Sequence, residues 1–187
     1  MLALDRLGGN VESAREGAWV FWHGRRAVSR HRVIFKLYLS PATTHVRECL
    51  EILLSLLPRG RIAACKAGAD LHSLLRPDKM LAYFRGHDDL MRTAAELRPL
   101  LAGMPAHGVP FTAELGTSGL LSWGRDPAMG PRRPGKSSDS WRGIVCRRLG
   151  AGLVAAHRSG KRGPAARDGA LAHASRFRID TTHWSPA

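Results

Sequence analysis

Acidic residues are scarce in this chain: 15 Asp and Glu face 29 Lys and Arg across 187 residues, a formal charge of +14. That balance favours anionic partners, whether nucleic acid, phosphorylated groups or acidic peptides, and does not choose among them. Cysteine is also rare. Cys49, Cys65 and Cys146 are far apart, odd in number and form no C-x-x-C pair, which argues against a disulfide framework. Each has apolar neighbours, so each is expected to be a buried free thiol in a reducing cytoplasm. The nine histidines show neither H-E-x-x-H nor a cluster at metal-ligand spacing, so no metal and no cofactor is expected. No G-x-x-x-x-G-K-S/T, G-x-S-x-G or dinucleotide-binding glycine pattern occurs, which leaves nucleoside-triphosphate and serine-hydrolase chemistry unsupported. No apolar run approaches the roughly 18 residues that cross a bilayer. Met1 to Asn10 also lacks the apolar stretch of a secretory signal. A soluble, cytoplasmic protein with no membrane partner is expected.

What is present supports a folded domain. Hydrophobic content of 44% is ordinary for a globular chain of this length, enough to bury a core. The positive charge is unevenly spread, with 12 Lys/Arg against 3 Asp/Glu from Pro131 onwards and a smaller basic knot at Arg25, Arg26, Arg30 and Arg32. Four regions follow: a poorly defined N-terminal segment over 1–32, a core over 33–127, a Pro/Gly-rich loop over 128–137, and a basic helical segment over 138–187.

Val33 to Leu39 is rich in β-branched and aromatic residues and reads as a strand closed by Ser40-Pro41. Thr43 or Thr44 then caps a helix whose apolar positions, from Val46 to Leu57, recur at helical spacing until Pro58-Arg59-Gly60. Arg61 to Ala67 is a second strand, Leu71 to Leu75 a turn of helix, and Lys79 to Phe84 a third strand after the turn residues Arg76-Pro77-Asp78. Asp88 caps a second long helix that Gly103 ends, and Val109 to Leu115 is extended. After the loop, Ser138 or Asp139 caps a helix carrying Trp141, Val145, Leu149 and Leu153 on one side, and Ala165 to Arg178 forms the last helix. The core order β-α-β-β-α-β predicts an α+β fold, a mostly antiparallel sheet with the C-terminal helices packed on it.

Lysine interrupts or borders three apolar runs, at Lys36, Lys66 and Lys79, with Arg76 leading into the third. A buried ammonium is costly unless it reaches solvent or faces an anion. Such lysines either guard sheet edges against aggregation or line an anion pocket. Together with Arg76 they make a candidate clamp, with arginine providing a forked contact and lysine a point charge. Asp78 is placed to pair with Arg76 or Lys79. His107, on a segment stiffened by Pro105 and Pro110, is a candidate acid or base. Trp123 to Pro127 is either a loop lid or a hydrophobic plug under the sheet.

Several short segments also resemble a known family. They are Phe35-Lys36-Leu37-Tyr38-Leu39, Cys65-Lys66-Ala67, Arg76-Pro77-Asp78-Lys79-Met80-Leu81-Ala82-Tyr83-Phe84, Gly108-Val109-Pro110-Phe111-Thr112 and Ser122-Trp123-Gly124-Arg125-Asp126-Pro127. Their order and residue types resemble the HopA-type effector family and the lyase domains of lanthipeptide synthetases. The resemblance covers roughly 33–127 and implies elimination of phosphate from phosphoserine or phosphothreonine. By position it implies that Lys66 is the base, that Lys36, Arg76 and Lys79 hold phosphate, that Asp78 orients a cation, and that His107 is the acid. It further implies a phosphorylated precursor peptide as substrate and a separate kinase as partner, because the chain carries no kinase or cyclase module. A basic nucleic-acid-binding protein and a non-catalytic accessory protein are the alternatives. Against nucleic acid, no known binding motif appears, and the C-terminal arginines lack the regular interleaving with stacking aromatics that single-strand binders show.

Overall fold

The computed structural model describes residues 13–24, 34–126 and 140–186. Val33, the basic connection before it, the 128–137 loop and the expected caps Ser138 and Asp139 lie outside the described residues. Among the described residues, seven strands form one sheet: β1 (Ser13–Glu16), β2 (Trp19–His23), β3 (Ile34–Leu39), β4 (Ala64–Gly68), β5 (Met80–Phe84), β6 (Ala113–Glu114) and β7 (Leu121–Asp126). Their spatial order is β1-β2-β4-β5-β3-β7-β6, and every neighbouring pair runs antiparallel. The helices are α1 (Val46–Leu56), α2 (Leu71–Leu74), α3 (His87–Leu100), α4 (Trp141–Arg158) and α5 (Gly163–Ser175). The fold class is α+β, and the expected order of strands and helices through the core is found.

Alternation along the strands divides the sheet into two chemically different faces. Leu37 and Leu39 of β3, Cys65 and Ala67 of β4, Met80, Ala82 and Phe84 of β5, and Leu121 of β7 point to one side. There they meet Cys49, Leu53 and Leu54 of α1 and Leu90, Ala94 and Leu97 of α3 in the main core. Each fully buried leucine there stabilises the fold by about 1.5–3 kcal/mol. The intervening residues, Lys36 and Tyr38 of β3, Lys66 of β4 and Tyr83 of β5, belong to the other face.

The second face is partly roofed by the C-terminal helices. Trp141 opens α4 and lies against Gly124 of β7 so closely that a Cβ there would stand 2.6 Å from the indole. Trp141 also donates its indole N–H to the Trp184 carbonyl at 3.1 Å. With Val145, Ala174 and Ile179 it forms a second, smaller core. Ser140 caps α4 by accepting the Gly143 N–H. Helix α5 folds back on α4 where Gly152 lets the Ala170 backbone approach.

Several local expectations change. Helix α3 begins after Gly86, with Asp88 and Asp89 in its first turn, where their charges favour the helix dipole. The extended stretch Val109 to Leu115 shortens to β6, because Pro110 cannot donate to a ladder and Phe111 adopts a left-handed φ of 62°. Cys49 and Cys65 are buried as expected, whereas Cys146 is exposed. Leu153 is 46% exposed, so the apolar stripe of α4 stops short of its last turns. Trp123 sits within β7 and packs against the main core, as a plug would.

Candidate active site

The polar face of the sheet gathers most of the charged residues singled out above. In the strand register Lys36 stands opposite Tyr83 on one side and Gly124 on the other, while Lys66 stands between Phe21 and Leu81. The two lysines are therefore two strands apart and offset by two residues, about 12 Å at the backbone, within convergence range for their long side chains. Lys36 forms an ion pair with Asp126 at the end of β7, and its ammonium lies 5.5 Å from the centre of the Tyr83 ring.

Lys66 has a different setting. Its ammonium is 3.8 Å from the centre of the Trp19 ring and 5.7 Å from that of Phe21, both on β2. Burial, then the like charges of Lys36 and Arg76, lower its pKa to about 8, against the pull of Asp78 and Asp126. The amine is still mostly protonated at neutral pH, but it gives up its proton far more readily than an ordinary lysine.

Arg76 and Arg142 arrive from outside the strands and share one carboxylate. Arg76 grips Asp78 as a fork, Nε to Oδ1 and an Nη2 contact to Oδ2, both at 3.0 Å. Arg142, one residue into α4, reaches Asp78 Oδ2 at 3.1 Å and donates Nε to the Pro110 carbonyl at 3.2 Å. Burial works to raise the Asp78 carboxyl, but the Arg76 hydrogen bond and the two guanidinium charges outweigh it and hold the group below the ordinary carboxylate value. The Arg76 guanidinium also lies 5.5 Å from the Trp19 ring centre, so one indole borders two cations.

Two tyrosines complete this face. Burial, followed by the negative charge of Asp126, raises both Tyr38 and Tyr83 well above the ordinary tyrosine value, so both hydroxyls keep their protons. Tyr38 is 2% exposed, while Tyr83 is only partly buried.

Two residues expected at an anion site lie elsewhere. Lys79 is fully buried and extends past the end of the sheet, donating to the Pro41 carbonyl at 2.9 Å and meeting His107 Nδ1 at 2.9 Å. Burial lowers its pKa, with the neighbouring Cys49 thiol acting in the opposite direction. Lys79 thus ties the turn before β5 to the segments carrying Pro41 and His107, and both residues stand apart from the Lys36–Lys66–Arg76 group. Arg142 and Asp126, by contrast, were not singled out from the sequence. Arg142 follows Trp141, whose indole packs against Gly124 of β7, and so starts α4 close to the sheet, while Asp126 ends β7 within the Trp123 to Pro127 segment.

The cluster can hold an anion. With Lys66 neutral, Lys36, Arg76 and Arg142 face the two carboxylates Asp78 and Asp126, leaving positive charge for an anion. The fork to Asp78 leaves the Arg76 Nη1 donors uncommitted to it, and an ammonium has three donors, of which Asp126 engages only part of the set at Lys36.

No family model matches this sequence, and no curated protein matches it. Solved structures do. An effector protein from Pseudomonas syringae pv. tomato strain DC3000 is similar with a TM-score of 0.58 at 13% identity, covering 89% of this chain and 61% of that one. An effector from Pseudomonas syringae pv. syringae strain 61 is similar with a TM-score of 0.52 at 12% identity and the same coverages, 89% and 61%. The type III effector and phosphothreonine lyase OspF from Shigella flexneri is also among the similar structures, at TM-score 0.49, 13% identity, and coverage of 60% and 68%. The fold likeness rests on the two Pseudomonas syringae effectors, and this chain spans 61% of their length.

Proposed function

We propose that this protein is a carbon–oxygen lyase that removes phosphate from phosphothreonine or phosphoserine in a peptide, leaving a dehydroamino acid. The observation that carries this is the placement of Lys66, Lys36 and Arg76 on one face of one sheet, with Lys66 dried by Trp19 and Phe21. The sequence resemblance to phosphate-eliminating lyases points the same way.

The residues fit the chemistry without a cofactor. Neutral Lys66 takes the proton from Cα through its Nζ lone pair. That C–H electron pair becomes the Cα=Cβ double bond as the Cβ–O bond breaks, and the oxygen leaves with phosphate. Lys36, Arg76 and Arg142 stabilise the charge that develops on the departing oxygens. Asp78 holds the two arginines in place. The protonated hydroxyls of Tyr38 and Tyr83 are proton donors on the same face, whereas His107 would have to leave Lys79 to act as the acid. A base with a pKa near working pH is suited to such a transfer.

In this account the substrate is a phosphorylated precursor peptide in ribosomal peptide modification, of the lanthipeptide kind, and a separate kinase supplies the phosphate. The test is direct. Incubation with a phosphothreonine peptide should release inorganic phosphate and yield a product lighter by the elements of phosphoric acid in mass spectrometry. Lys66→Ala should abolish that product while leaving the phosphopeptide bound. A folded wild-type protein that binds the phosphopeptide without converting it would refute the lyase assignment.

A further inference from the structure

The last turns of α4 and the start of α5 enclose a surface groove of about 460 Å³ that the chemistry above does not use. Its apolar part is Leu153 and Val154, which are 46% and 51% exposed. Around them stand His157, Arg158, Lys161 and Arg162. Arg162 is anchored by hydrogen bonds from Nη1 to the His157 and Lys161 carbonyls at 3.0 and 2.8 Å, so that rim is built and not merely decorated with loose side chains. From Trp141 to Ser175 the chain carries seven Lys/Arg and a single acid, Asp168, which pairs with Arg167.

We propose that this groove docks an acidic amphipathic segment of the peptide substrate, separate from the phosphorylated residue. Two adjacent aliphatic side chains offer a place for a Leu or Ile, and the cations Arg158, Lys161 and Arg162 on the rim select carboxylates beside it. The composition disfavours nucleic acid, because no Phe, Tyr or Trp lines the groove for bases to stack on. The link to catalysis rests on the lyase assignment; the docking itself does not. Sixteen residues of α4 separate Arg142, at the Asp78 carboxylate, from Arg158, at the groove, which is about 24 Å along the helix axis. An extended peptide covers that span in about seven residues. The phosphorylated residue and the acidic segment should therefore be at least that far apart in sequence.

The experiment has two arms, both on the full chain. In the first, fluorescence anisotropy follows a labelled, unphosphorylated helix-forming peptide four turns long, with Leu at helical spacing and Glu flanking it. It is compared with a scrambled peptide of the same composition and with a labelled oligonucleotide. The patterned peptide should bind about tenfold more tightly than the scrambled one, and Val154→Asp and Lys161→Glu should each weaken it by about tenfold. Both changes are at solvent-facing positions, and a thermal melt checks that each variant is folded. Equal binding of the scrambled peptide, tighter binding of the oligonucleotide, no binding, or indifference to both substitutions would overturn the proposal.

In the second arm, a phosphothreonine is joined to the acidic segment by linkers of about two, seven and twelve residues. KM should fall at the longer linkers only, and Val154→Asp should remove that gain while turning over a short phosphothreonine peptide as the wild type does. Docking without elimination would leave the groove standing and remove the lyase assignment. Elimination with KM indifferent to the linker would do the reverse.

Discussion

The Lys66 ammonium lies 3.8 Å from the centre of the Trp19 ring, a contact between β4 and its neighbour β2. Two effects act through it in opposite directions. The face of an indole attracts a cation and favours the protonated lysine by about 0.5–2 kcal/mol. The same ring keeps water away, and desolvation favours the neutral amine. Among the causes that bring the pKa down to about 8, desolvation is the largest.

The first prediction follows from that balance. Activity should rise about tenfold per pH unit below about 8, where Lys66 is mostly protonated, and level off above it. In Trp19→Ala, water reaches the amine and its pKa moves back towards the ordinary lysine value, so the rising limb should shift to higher pH. A pH–rate profile of both proteins decides the matter. A shift to lower pH would mean that loss of the indole–cation attraction outweighs rehydration. Folding stability should follow the same proton: a lysine with a lowered folded-state pKa binds fewer protons folded than unfolded between about 8 and its ordinary value, so stability from this group rises with pH across that window.

Asp78→Asn tests the shared carboxylate. The amide cannot accept both arginines as charge-assisted forks, so Arg76 and Arg142 lose their common anchor. kcat/KM on a phosphothreonine peptide should drop by about tenfold or more. Affinity for inorganic phosphate should change little, because removing one negative charge offsets the lost positioning. Isothermal titration beside steady-state kinetics separates the two quantities.

Gly124→Ala should damage the site from a distance. The added methyl would stand 2.6 Å from Trp141 Cδ1 and 3.0 Å from its Cγ, so the indole must shift. Overpacking of this kind costs about 1–3 kcal/mol. Trp141 is the neighbour of Arg142, so a displaced indole also loosens the contact to Asp78. A lower melting temperature together with a raised KM for phosphopeptide is expected.

Lys79→Met separates the buried lysine from the anion cluster. Methionine replaces the stem with similar volume and removes an ammonium whose contacts are the Pro41 carbonyl and His107. Replacing a buried charge by an apolar side chain is often close to neutral, although the carbonyl left without its donor costs about 1–3 kcal/mol. Turnover of a phosphothreonine peptide should stay within a few-fold of wild type. A loss as large as that in Lys66→Ala would bring Lys79 into the phosphate site.

The central strands and helices were legible because their residues leave little choice. Ile34 to Leu39 and Met80 to Phe84 are short, branched or aromatic runs bounded by turn residues, and the leucines of α1 repeat at a single helical spacing. The β1–β2 hairpin was less so: Ser13–Glu16 is exposed throughout and has no apolar alternation to read. Local pattern could place Lys36 and Lys66 in strands but could not say that Trp19 would cover one of them, because that contact depends on which strand pairs with β4. Lys79 shows the limit from the other side. Strand alternation assigns it to the polar face, yet it sits just before β5, where the chain is leaving the turn and the side chain follows a different path.

Among the described residues, Trp19 and Phe21 belong to the penultimate strand of the sheet, and beyond it lies only β1, exposed along its whole length. Outer hairpins open at lower free energy than the strands they cover. The dryness of Lys66 is therefore only as durable as the weakest edge of the molecule. On warming, fraying of that edge would rewet the amine while α1, α3 and the central strands stay intact, so chemistry would fail before the fold does.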